Sequence, residues 1–284
     1  MPRLRSLLFV PGDRPDRMEK ALGSGADALI LDLEDAVAPG AKPAARAAVA
    51  AFLARERTVS LWVRINPLDG GLAEDDVAAV LPARPDGIVL PKAEGAASLR
   101  ALDARLDGEI AILPIATETP AAIFALGSYG GVTDRLAGLT WGAEDLPAAI
   151  GAATSREPDG SFTPPYQLAR SLLLFGAHAA GVPAIETVYP DFRDLAGLAA
   201  YAARGRRHGF SGMMAIHPAQ VPVINQAFTP SPAEVDRARR VIAAFAAAPG
   251  TGVLNLDGRM VDAPHLKAAR ALLARAGEPE PGAD

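Results

Sequence analysis

Charged side chains recur directly after short apolar runs of this sequence, and their types point to one kind of chemistry. The set is mostly acidic, with one arginine and one lysine: Asp32, Glu34, Asp35, Arg64, Asn66, Lys92, Glu118, Glu144, Asp145 and His217. Carboxylate oxygens are the ligands that hard divalent cations such as magnesium prefer, whereas zinc takes histidine or cysteine sets that this pattern lacks. The pattern predicts a magnesium site flanked by cationic side chains, if these positions meet in the fold.

Each of these residues also has a purely structural interpretation. An acid that follows a strand often caps the next helix, which is the alternative role for Asp32, Asp35 or Glu144 taken alone. Arg64 has the alternative of a simple ion pair inside the fold. The hypothesis of a metal site therefore depends on the convergence of several positions and not on any one of them.

Eight apolar runs alternate with alanine-rich segments of helical periodicity. The runs are Ser6–Val10, Ala28–Leu33, Leu61–Ile65, Gly87–Leu90, Ile110–Ile115, Leu136–Trp141, Pro183–Val188 and Gly212–Ile216. Runs that are apolar on both faces and alternate with helices are typical of parallel strands buried beneath helices. An open, doubly wound sheet is the alternative, but no glycine fingerprint follows the first run. The pattern predicts an α/β fold, a (β/α)8 TIM barrel, in which residues past the carboxyl ends of the strands converge.

The chain continues well beyond the eighth run. A barrel over residues 1–230 leaves a C-terminal extension over residues 231–284, with helical patterns at Pro232–Ala247 and Pro264–Ala276. The segment between the two patterns, PGTGVLNLDGRMVDAP, is rich in turn-forming residues. These features predict a helical arm or lid and not a second globular domain.

Composition excludes several classes of function. The chain has 284 residues, 50% of them hydrophobic, and a formal net charge of -5, so it can bury one large core but offers no general basic surface to nucleic acid. It has no cysteine, which excludes thiolate metal ligands and a cysteine nucleophile. No apolar run approaches the roughly 18 residues that a membrane span needs. We expect a soluble, cytoplasmic protein without nucleic-acid or membrane partners.

Seven segments, taken in order, resemble one known family. They are RSLLFVPGDRPDRMEKA, ADALILDLEDAV, WVRINPL, GIVLPKAE, PIATETPAAI, LTWGAEDL and MMAIHPAQV. In order and spacing they resemble the citrate lyase β-subunit and malyl-CoA lyase-like family, CoA-ester lyases of the HpcH/HpaI aldolase type, and the resemblance covers residues 5 to about 270. It implies a (β/α)8 barrel, a Mg2+ cofactor, and reversible cleavage of a 3-hydroxyacyl thioester into an acetyl or related thioester and an oxo acid.

The resemblance implies roles for five residues at the end that binds metal and oxo acid. Glu118 of ATETP and Asp145 of GAEDL match the family's metal-binding carboxylates, and Glu118 also borders the substrate. Arg64 of WVRIN matches the arginine that grips the oxo acid and stabilises developing negative charge, a task suited to a fixed fork of donors. Glu34 and Asp35 of DLEDAV match acids that surround the metal and act through its waters.

Five more residues correspond to the family's coenzyme A contacts. These are Phe9, Arg14 and Lys20 in the first segment, with His217 and Pro218 in the IHPAQ segment. The two cations suit a phosphorylated carrier. Lys20 has the alternative of a plain surface charge on the first helix.

The segment DGRMVDAPHLKAAR resembles the family's C-terminal motif, in which an aspartate moves a proton at the carbon beside the thioester carbonyl. That position is Asp262 here, and the alternative is a simple helix N-cap, because Pro264 follows. Within the family this lid reaches a neighbouring subunit, which implies a homotrimer or hexamer. Glu186 departs from the family pattern, where aspartate is common, and this weakens the case for a role at that position.

These features together predict a magnesium-dependent carbon-carbon lyase. Its expected substrate is a CoA thioester such as malyl-CoA or citramalyl-CoA, and its products are acetyl-CoA or another acyl-CoA and a small oxo acid. The alternatives are a citrate lyase β-subunit acting on citryl bound to an acyl carrier protein, an aldolase of free oxo acids, and a non-catalytic acyl-CoA binding or carrier-docking subunit. The last would leave Glu118, Asp145 and Asp262 without a purpose.

Overall fold

The computed structural model describes residues 3–279, and eight parallel strands form its centre. The strands are β1 Ser6–Pro11, β2 Ala28–Asp32, β3 Ser60–Arg64, β4 Gly87–Leu90, β5 Ala111–Pro114, β6 Leu139–Thr140, β7 Ala184–Glu186 and β8 Gly212–Ala215. Their hydrogen-bonded order is β5-β4-β3-β2-β1-β8-β7-β6. Single bridges from Ile112 to Leu136 and from Ile115 to Thr140 join the β5 segment to the β6 segment and close the sheet. The predicted (β/α)8 barrel is confirmed.

Helices separate the strands along the chain. The helices in the described residues are α1 Pro15–Leu22, α2 Lys42–Leu53, α3 Ala73–Val80, α4 Ala96–Asp103, α5 Pro120–Ala125, α6 Leu146–Ile150, α7 Pro164–Ala179, α8 Leu195–His208, α9 Gln220–Phe228, α10 Pro232–Ala247 and α11 Ala263–Ala276. Proline stands in the first turn of several of them, where its missing N–H costs no hydrogen bond. None of the helices described between residues 3 and 279 combines the length and apolarity needed to cross a membrane.

The barrel interior is filled by side chains from successive strands. This cluster comprises Leu7, Ala28, Ile30, Trp62, Val89, Leu113, Ile115, Ala137, Ile185 and Met214. The ring of Trp62 reaches across to β4, where a Cβ on Gly87 would lie only 2.3 Å from it. Gly87 therefore makes room for the largest side chain of the interior, and the polar chemistry is left to the rim of the barrel.

The chain divides into two compact units, and the second begins at Gln226. In it α10 and α11 pack around a small core of their own, together with an antiparallel hairpin of β9 Val253–Leu256 and β10 Arg259–Asp262. Helix α10 has the predicted bounds, and α11 begins one residue earlier than predicted. The sequence analysis did not predict the hairpin. Its turn residues Asp257 and Gly258 both have positive φ, at 52° and 75°, as expected for a two-residue hairpin loop.

Candidate active site

Arg64 is clamped at the carboxyl end of β3 by Asp32, its cross-strand partner at the end of β2. Arg64 Nε donates to Asp32 Oδ1 at 2.7 Å, and Nη2 donates to Oδ2 at 2.6 Å, so the two planar groups form a bidentate pair. The guanidinium also lies over the ring of Phe9, 4.8 Å from its centroid. Burial lowers the pKa of Arg64, but its bonds to Asp32 and the nearby acids outweigh that effect and raise it. Arg64 is therefore a fixed cation at the mouth of the barrel.

The loop that follows β2 is held rigidly by buried hydrogen bonds. The Asp32 carboxylate accepts from the backbone N–H groups of Glu34 at 2.9 Å and Ala36 at 3.2 Å. Buried Lys42 donates to the carbonyl oxygens of Leu33 at 2.8 Å and Glu34 at 2.9 Å. This bracing fixes the direction in which Glu34 points.

Glu34 lies between the two cations of the barrel mouth. Its Oε1 accepts from Lys92 Nζ at 2.8 Å, and its Oε2 lies 2.8 Å from Arg64 Nη1 as an ion pair without the alignment of a hydrogen bond. Burial raises the pKa of Glu34, and the charges of Arg64 and Lys92 oppose that shift. Asp35 differs: its side chain is 62% exposed and lies 3.8 Å from Arg64 Nη1. The two acids of the DLED motif thus have different surroundings.

Lys92 contacts three carboxylates that come from three different strands. Its backbone N–H donates to Glu118 Oε2 at 2.6 Å, and its Nζ lies 2.8 Å from Glu34 Oε1 and 3.3 Å from Asp145 Oδ1. Its φ of 49° lies in the left-handed region, which is uncommon for a lysine and lets the main chain and the side chain face the same acids. Burial lowers the pKa of Lys92, but its bond to Glu34 and the surrounding acids raise it overall. Lys92 therefore links the predicted metal ligands to the predicted oxo-acid site.

Glu118 and Asp145 follow β5 and β6, which are neighbours in the closed sheet. Glu118 is only 4% exposed, and burial, reinforced by the charges of Asp145 and Glu34, raises its pKa to about 8. A Cβ on Gly142 would lie 2.9 Å from the Glu118 side chain, so this glycine leaves space for the carboxylate. Asp145 stands at the N-cap of α6 but makes no capping hydrogen bond with its side chain. Its carboxylate is therefore available for another partner.

The donor set fits magnesium if the ion keeps part of its coordination shell. In the part of the chain that the structure describes, no three His, Cys, Asp or Glu side chains form a complete metal site. Magnesium commonly takes one or two carboxylates and fills its other positions with water or substrate oxygens. Burial, reinforced by the charges of Asp145 and Glu34, raises the pKa of Glu118, and a bound cation would stabilise its ionised form. Glu118 and Asp145 are therefore suitable ligands.

The residues predicted to contact coenzyme A begin at the end of β1. Phe9 is partly buried in β1 beneath Arg64. Arg14 is exposed at the N-cap position of α1 and pairs with Asp16, with Nε 3.1 Å from Oδ1. Lys20 is exposed in the last turn of α1, which also agrees with the alternative of a surface charge. These side chains do not join the buried cluster around Arg64, apart from Phe9.

The other two predicted coenzyme A contacts follow β8, the neighbour of β1. His217 is exposed and stacks on Phe192, with ring centroids 4.9 Å apart and an interplanar angle of 21°. Pro218 beside it is also exposed. Gln220 fixes this loop by accepting from the backbone N–H of His217 at 3.2 Å. The loop thus presents a flat aromatic surface at the same end of the barrel as Phe9.

Asp262 belongs to the C-terminal unit, where it is the N-cap of α11. Its side chain accepts from the His265 backbone N–H at 3.4 Å, and its Oδ1 lies 2.5 Å from His265 Nδ1. The helix-capping interpretation therefore describes its contacts within this unit. The role of Asp262 in proton transfer stays a prediction.

Two residues of the cluster had no assigned role in the sequence analysis. The sequence suggests a helix cap as the alternative role of Asp32, and it indicates only a charge after the fourth run for Lys92. The structure brings both into direct contact with the predicted site residues. The alternative interpretation of Arg64 as a partner of a buried acid is also observed. The signal for Asp32 was its position at the end of a strand beside the strand of Arg64.

Comparisons with known proteins agree with this geometry. A family profile described as HpcH/HpaI aldolase/citrate lyase matches residues 5–218. A citrate lyase subunit beta-like protein of Mycobacterium tuberculosis is 40% identical over 95% of both chains. A (3S)-malyl-CoA thioesterase of Cereibacter sphaeroides is 38% identical over 96% of this chain and 94% of its own length. The crystal structure of M. tuberculosis CitE with magnesium, acetoacetate and coenzyme A is 37% identical and covers 96% of this chain and 98% of its own, with a TM-score of 0.81. This chain therefore belongs to the HpcH/HpaI aldolase/citrate lyase family of lyases.

Proposed function

We propose that this chain is a magnesium-dependent lyase that cleaves, or forms, the carbon-carbon bond of a 3-hydroxyacyl-CoA thioester such as malyl-CoA or citramalyl-CoA. The products of cleavage are acetyl-CoA or another acyl-CoA and a small oxo acid. The observation that carries the proposal is the meeting of Arg64 and Lys92 with the carboxylates of Glu34, Glu118 and Asp145 at the carboxyl ends of the strands. Such a site can bind a metal and an anionic oxo acid side by side.

Arg64 is assigned to bind the oxo acid and the oxygen on which negative charge develops. A guanidinium has five N–H donors, and the hydrogen bonds to Asp32 use Nε and one donor of Nη2. Nη1 also lies 2.8 Å from Glu34 Oε2, so one donor of Nη1 and the second donor of Nη2 remain for a carboxylate or carbonyl oxygen. Because Asp32 already fixes the plane of the group, little reorganisation is needed when the substrate binds.

Glu118 and Asp145 are assigned to hold magnesium, and Glu34 and Asp35 to orient its waters. When bound there, magnesium would supply Lewis-acid chemistry that polarises the carbonyl of the oxo acid and stabilises negative charge on its oxygen. Lys92 orients Glu118 through its backbone N–H and balances the charge of Glu34 and Asp145 through its Nζ. The chain thus prepares a site in which the acids are fixed before the ligand arrives.

Asp262 is assigned to proton transfer at the thioester's α-carbon. In cleavage the substrate hydroxyl gives its proton to solvent water, and the carbon-carbon bond breaks so that its electron pair becomes the enolate. Asp262 in its protonated form then gives its proton to the enolate carbon and is left as the carboxylate. In the condensing direction Asp262 removes a proton from the same carbon. Phe9, Arg14, Lys20, His217 and Pro218 are assigned to contact coenzyme A, with the cations facing its phosphates.

Two related activities deserve direct comparison, because relatives carry their names. One is hydrolysis of the thioester, since the C. sphaeroides relative is a (3S)-malyl-CoA thioesterase. The other is cleavage of citryl bound to an acyl carrier protein, since the citrate lyase subunit beta of Escherichia coli is 35% identical over 96% of this chain. We favour a free CoA thioester, the kind of substrate named in the C. sphaeroides relative, which is 38% identical over 96% of this chain.

The proposal is tested by incubating the purified protein with magnesium and malyl-, citramalyl-, citryl- and hydroxymethylglutaryl-CoA. Release of an oxo acid that stops on chelation supports the lyase and identifies its substrate. Release of free coenzyme A in step with the oxo acid indicates that hydrolysis follows cleavage. Failure to cleave any of them, with the fold intact, contradicts the proposal and favours a substrate bound to a carrier protein.

We further propose that the protein is a homotrimer or hexamer in which the segment from residue 231 serves as a lid for a neighbouring subunit. Sedimentation velocity of the full chain gives the assembly. Mixing Asp262→Asn chains with Arg64→Ala chains then tests the shared site. If the lid acts across subunits, the mixed oligomers regain activity that neither variant has alone.

A further inference from the structure

Asp262 and His265 form a close pair at the start of α11. Asp262 Oδ1 lies 2.5 Å from His265 Nδ1, whereas the capping bond from the His265 backbone N–H to the same oxygen is long, at 3.4 Å. The side-chain contact is therefore the stronger of the two. Within the described residues of the C-terminal unit, both contacts fall on Oδ1 and no hydrogen bond reaches Oδ2.

This pair replaces the usual arrangement of a capping box. The third residue of such a box is normally Glu or Gln, whose oxygen accepts from the N-cap backbone N–H. Here His265 Nδ1 lies 3.3 Å from the Asp262 backbone nitrogen as well as close to Oδ1. An Nδ1 that carries a proton donates to the carboxylate, and an Nδ1 without one accepts from the backbone. His265 Nδ1 can therefore act either as a donor to the Asp262 carboxylate or as an acceptor from the backbone, depending on whether it carries a proton. The side-chain amide of glutamine does not change its protonation in this way.

The ion pairs that α10 makes lie away from Asp262. On α10, Arg240 pairs with Asp236 and with Asp257 of the hairpin turn, which lies at the far end of β10 from Asp262. Arg239 pairs with Glu278, beyond the end of α11. The hydrogen bond from His265 is accordingly the main reason why the pKa of Asp262 lies below its ordinary value.

We propose that His265 is a positioning residue for Asp262: its ring holds Oδ1 at 2.5 Å, which leaves Oδ2 to face the α-carbon of the acyl-CoA. This inference rests on the proposed function, because it assumes that Asp262 carries the proton. In the condensing direction the α-carbon–hydrogen bond breaks, its proton goes to Oδ2, and its electron pair becomes the enolate. In cleavage the same proton returns from Oδ2 to the carbon, and the carboxylate is restored.

The sign of the pH effect follows from this arrangement. Asp262 can remove a proton only as the carboxylate, so the condensing activity is lost as the pH falls through its folded pKa. Replacing His265 removes the hydrogen bond that lowers the pKa of Asp262. The acidic limb of the pH–rate profile for the condensing activity then moves to higher pH. A residue that only caps the helix would change stability and leave the limb in place.

The test compares the full-length wild type with His265→Gln and with His178→Gln, a control at an exposed histidine on α7. Glutamine can serve as the third residue of a capping box, so His265→Gln keeps the cap of α11 and removes only the imidazole. The first readout is an NMR titration of the Asp262 carboxyl carbon. We expect a midpoint at higher pH in His265→Gln and no change in His178→Gln.

The second readout is deuterium exchange at the α-carbon of acetyl-CoA in D2O with magnesium, followed against pH. We expect kcat for exchange to fall by about 10- to 100-fold in His265→Gln, with KM nearly unchanged and the acidic limb moved to higher pH. An unchanged midpoint or an unchanged limb in an active enzyme overturns the inference. A wild type that exchanges nothing and cleaves nothing refutes the proposed function instead, and the titration then still reports whether the pair exists.

Discussion

The substitution Asp32→Asn tests whether Arg64 must be held in place to work. Each oxygen of Asp32 accepts one N–H of Arg64 and one backbone N–H, from Glu34 or Ala36. The amide nitrogen of asparagine cannot accept, so either orientation of the amide loses one guanidinium bond and one backbone bond. The side chain keeps its volume, and the change is therefore confined to charge and hydrogen bonding.

The free energy of unfolding should fall because Asp32→Asn breaks the buried ion pair with Arg64, although Glu34 remains beside Arg64. Removing one partner of such a pair costs about 3–5 kcal/mol, and we expect the lower end, about 3 kcal/mol, because Glu34 stays 2.8 Å from Arg64. In a chain of this size that lowers Tm by roughly 6 °C. Misplacement of the guanidinium should lower kcat/KM about 100-fold, which corresponds to about 2.7 kcal/mol of transition-state stabilisation.

Asp27→Asn is the matched control, because Asp27 makes the same kind of pair at the opposite end of the barrel. Its Oδ2 accepts from Arg5 Nε at 2.8 Å and its Oδ1 from Nη2 at 2.6 Å, just before β2 begins. Thermal melting and steady-state cleavage of the best CoA thioester are measured for both variants. Both should melt earlier, but only Asp32→Asn should lose activity. Equal and near wild-type kcat/KM in the two variants would refute the argument that Arg64 needs a fixed orientation.

Three further predictions follow from the buried charges. Glu118→Gln should abolish magnesium binding in calorimetry and lower kcat by at least about 100-fold. It should not lower Tm of the metal-free protein, because burial already disfavours the charged form of Glu118. Magnesium binding that persists in the variant contradicts the assignment. Since burial raises the pKa of Glu118 to about 8, magnesium must displace a proton below that pH. The apparent affinity for magnesium should therefore rise between pH 6.5 and 8. Calorimetry in buffers of different ionisation enthalpy should show protons released on binding. An affinity that stays constant over this pH range contradicts the prediction. Glu186→Gln should cost about 3–5 kcal/mol in urea unfolding, because it leaves Arg170 buried without its carboxylate; a loss below about 1 kcal/mol contradicts it.

The strands could be predicted because parallel strands in a barrel are apolar on both faces. The predicted run Gly87–Leu90 coincides with β4, and most other strand ends differ by one or two residues. The sixth run is the exception, since only Leu139–Thr140 forms a strand and its other contacts with the β5 segment are single bridges. The hairpin of the C-terminal unit was missed, although Asp257-Gly258 between short alternating segments is a strong signal for one.

The types of side chain at the barrel mouth could be predicted, but their pairing could not. That Asp32 clamps Arg64 depends on the register of β2 against β3, which apolar runs without alternation leave open. That Lys92 reaches three acids depends on a left-handed backbone at a residue that is not glycine. Glu186 illustrates the same limit, because its buried partners Arg170, Trp141 and Tyr201 come from separate elements.

The charged side chains at the barrel mouth form ion pairs that stabilise the fold, and the same side chains form the proposed binding site. Apart from the exposed Asp35, four carboxylates, those of Asp32, Glu34, Glu118 and Asp145, meet the two cations Arg64 and Lys92. Burial of the Glu118 carboxyl is the main reason why its pKa rises to about 8, and the neighbouring charges of Asp145 and Glu34 raise it further. A divalent cation would balance the surplus of two negative charges that these groups carry when Glu118 is ionised. An anionic oxo acid would add further negative charge, so we expect it to bind only together with the divalent cation.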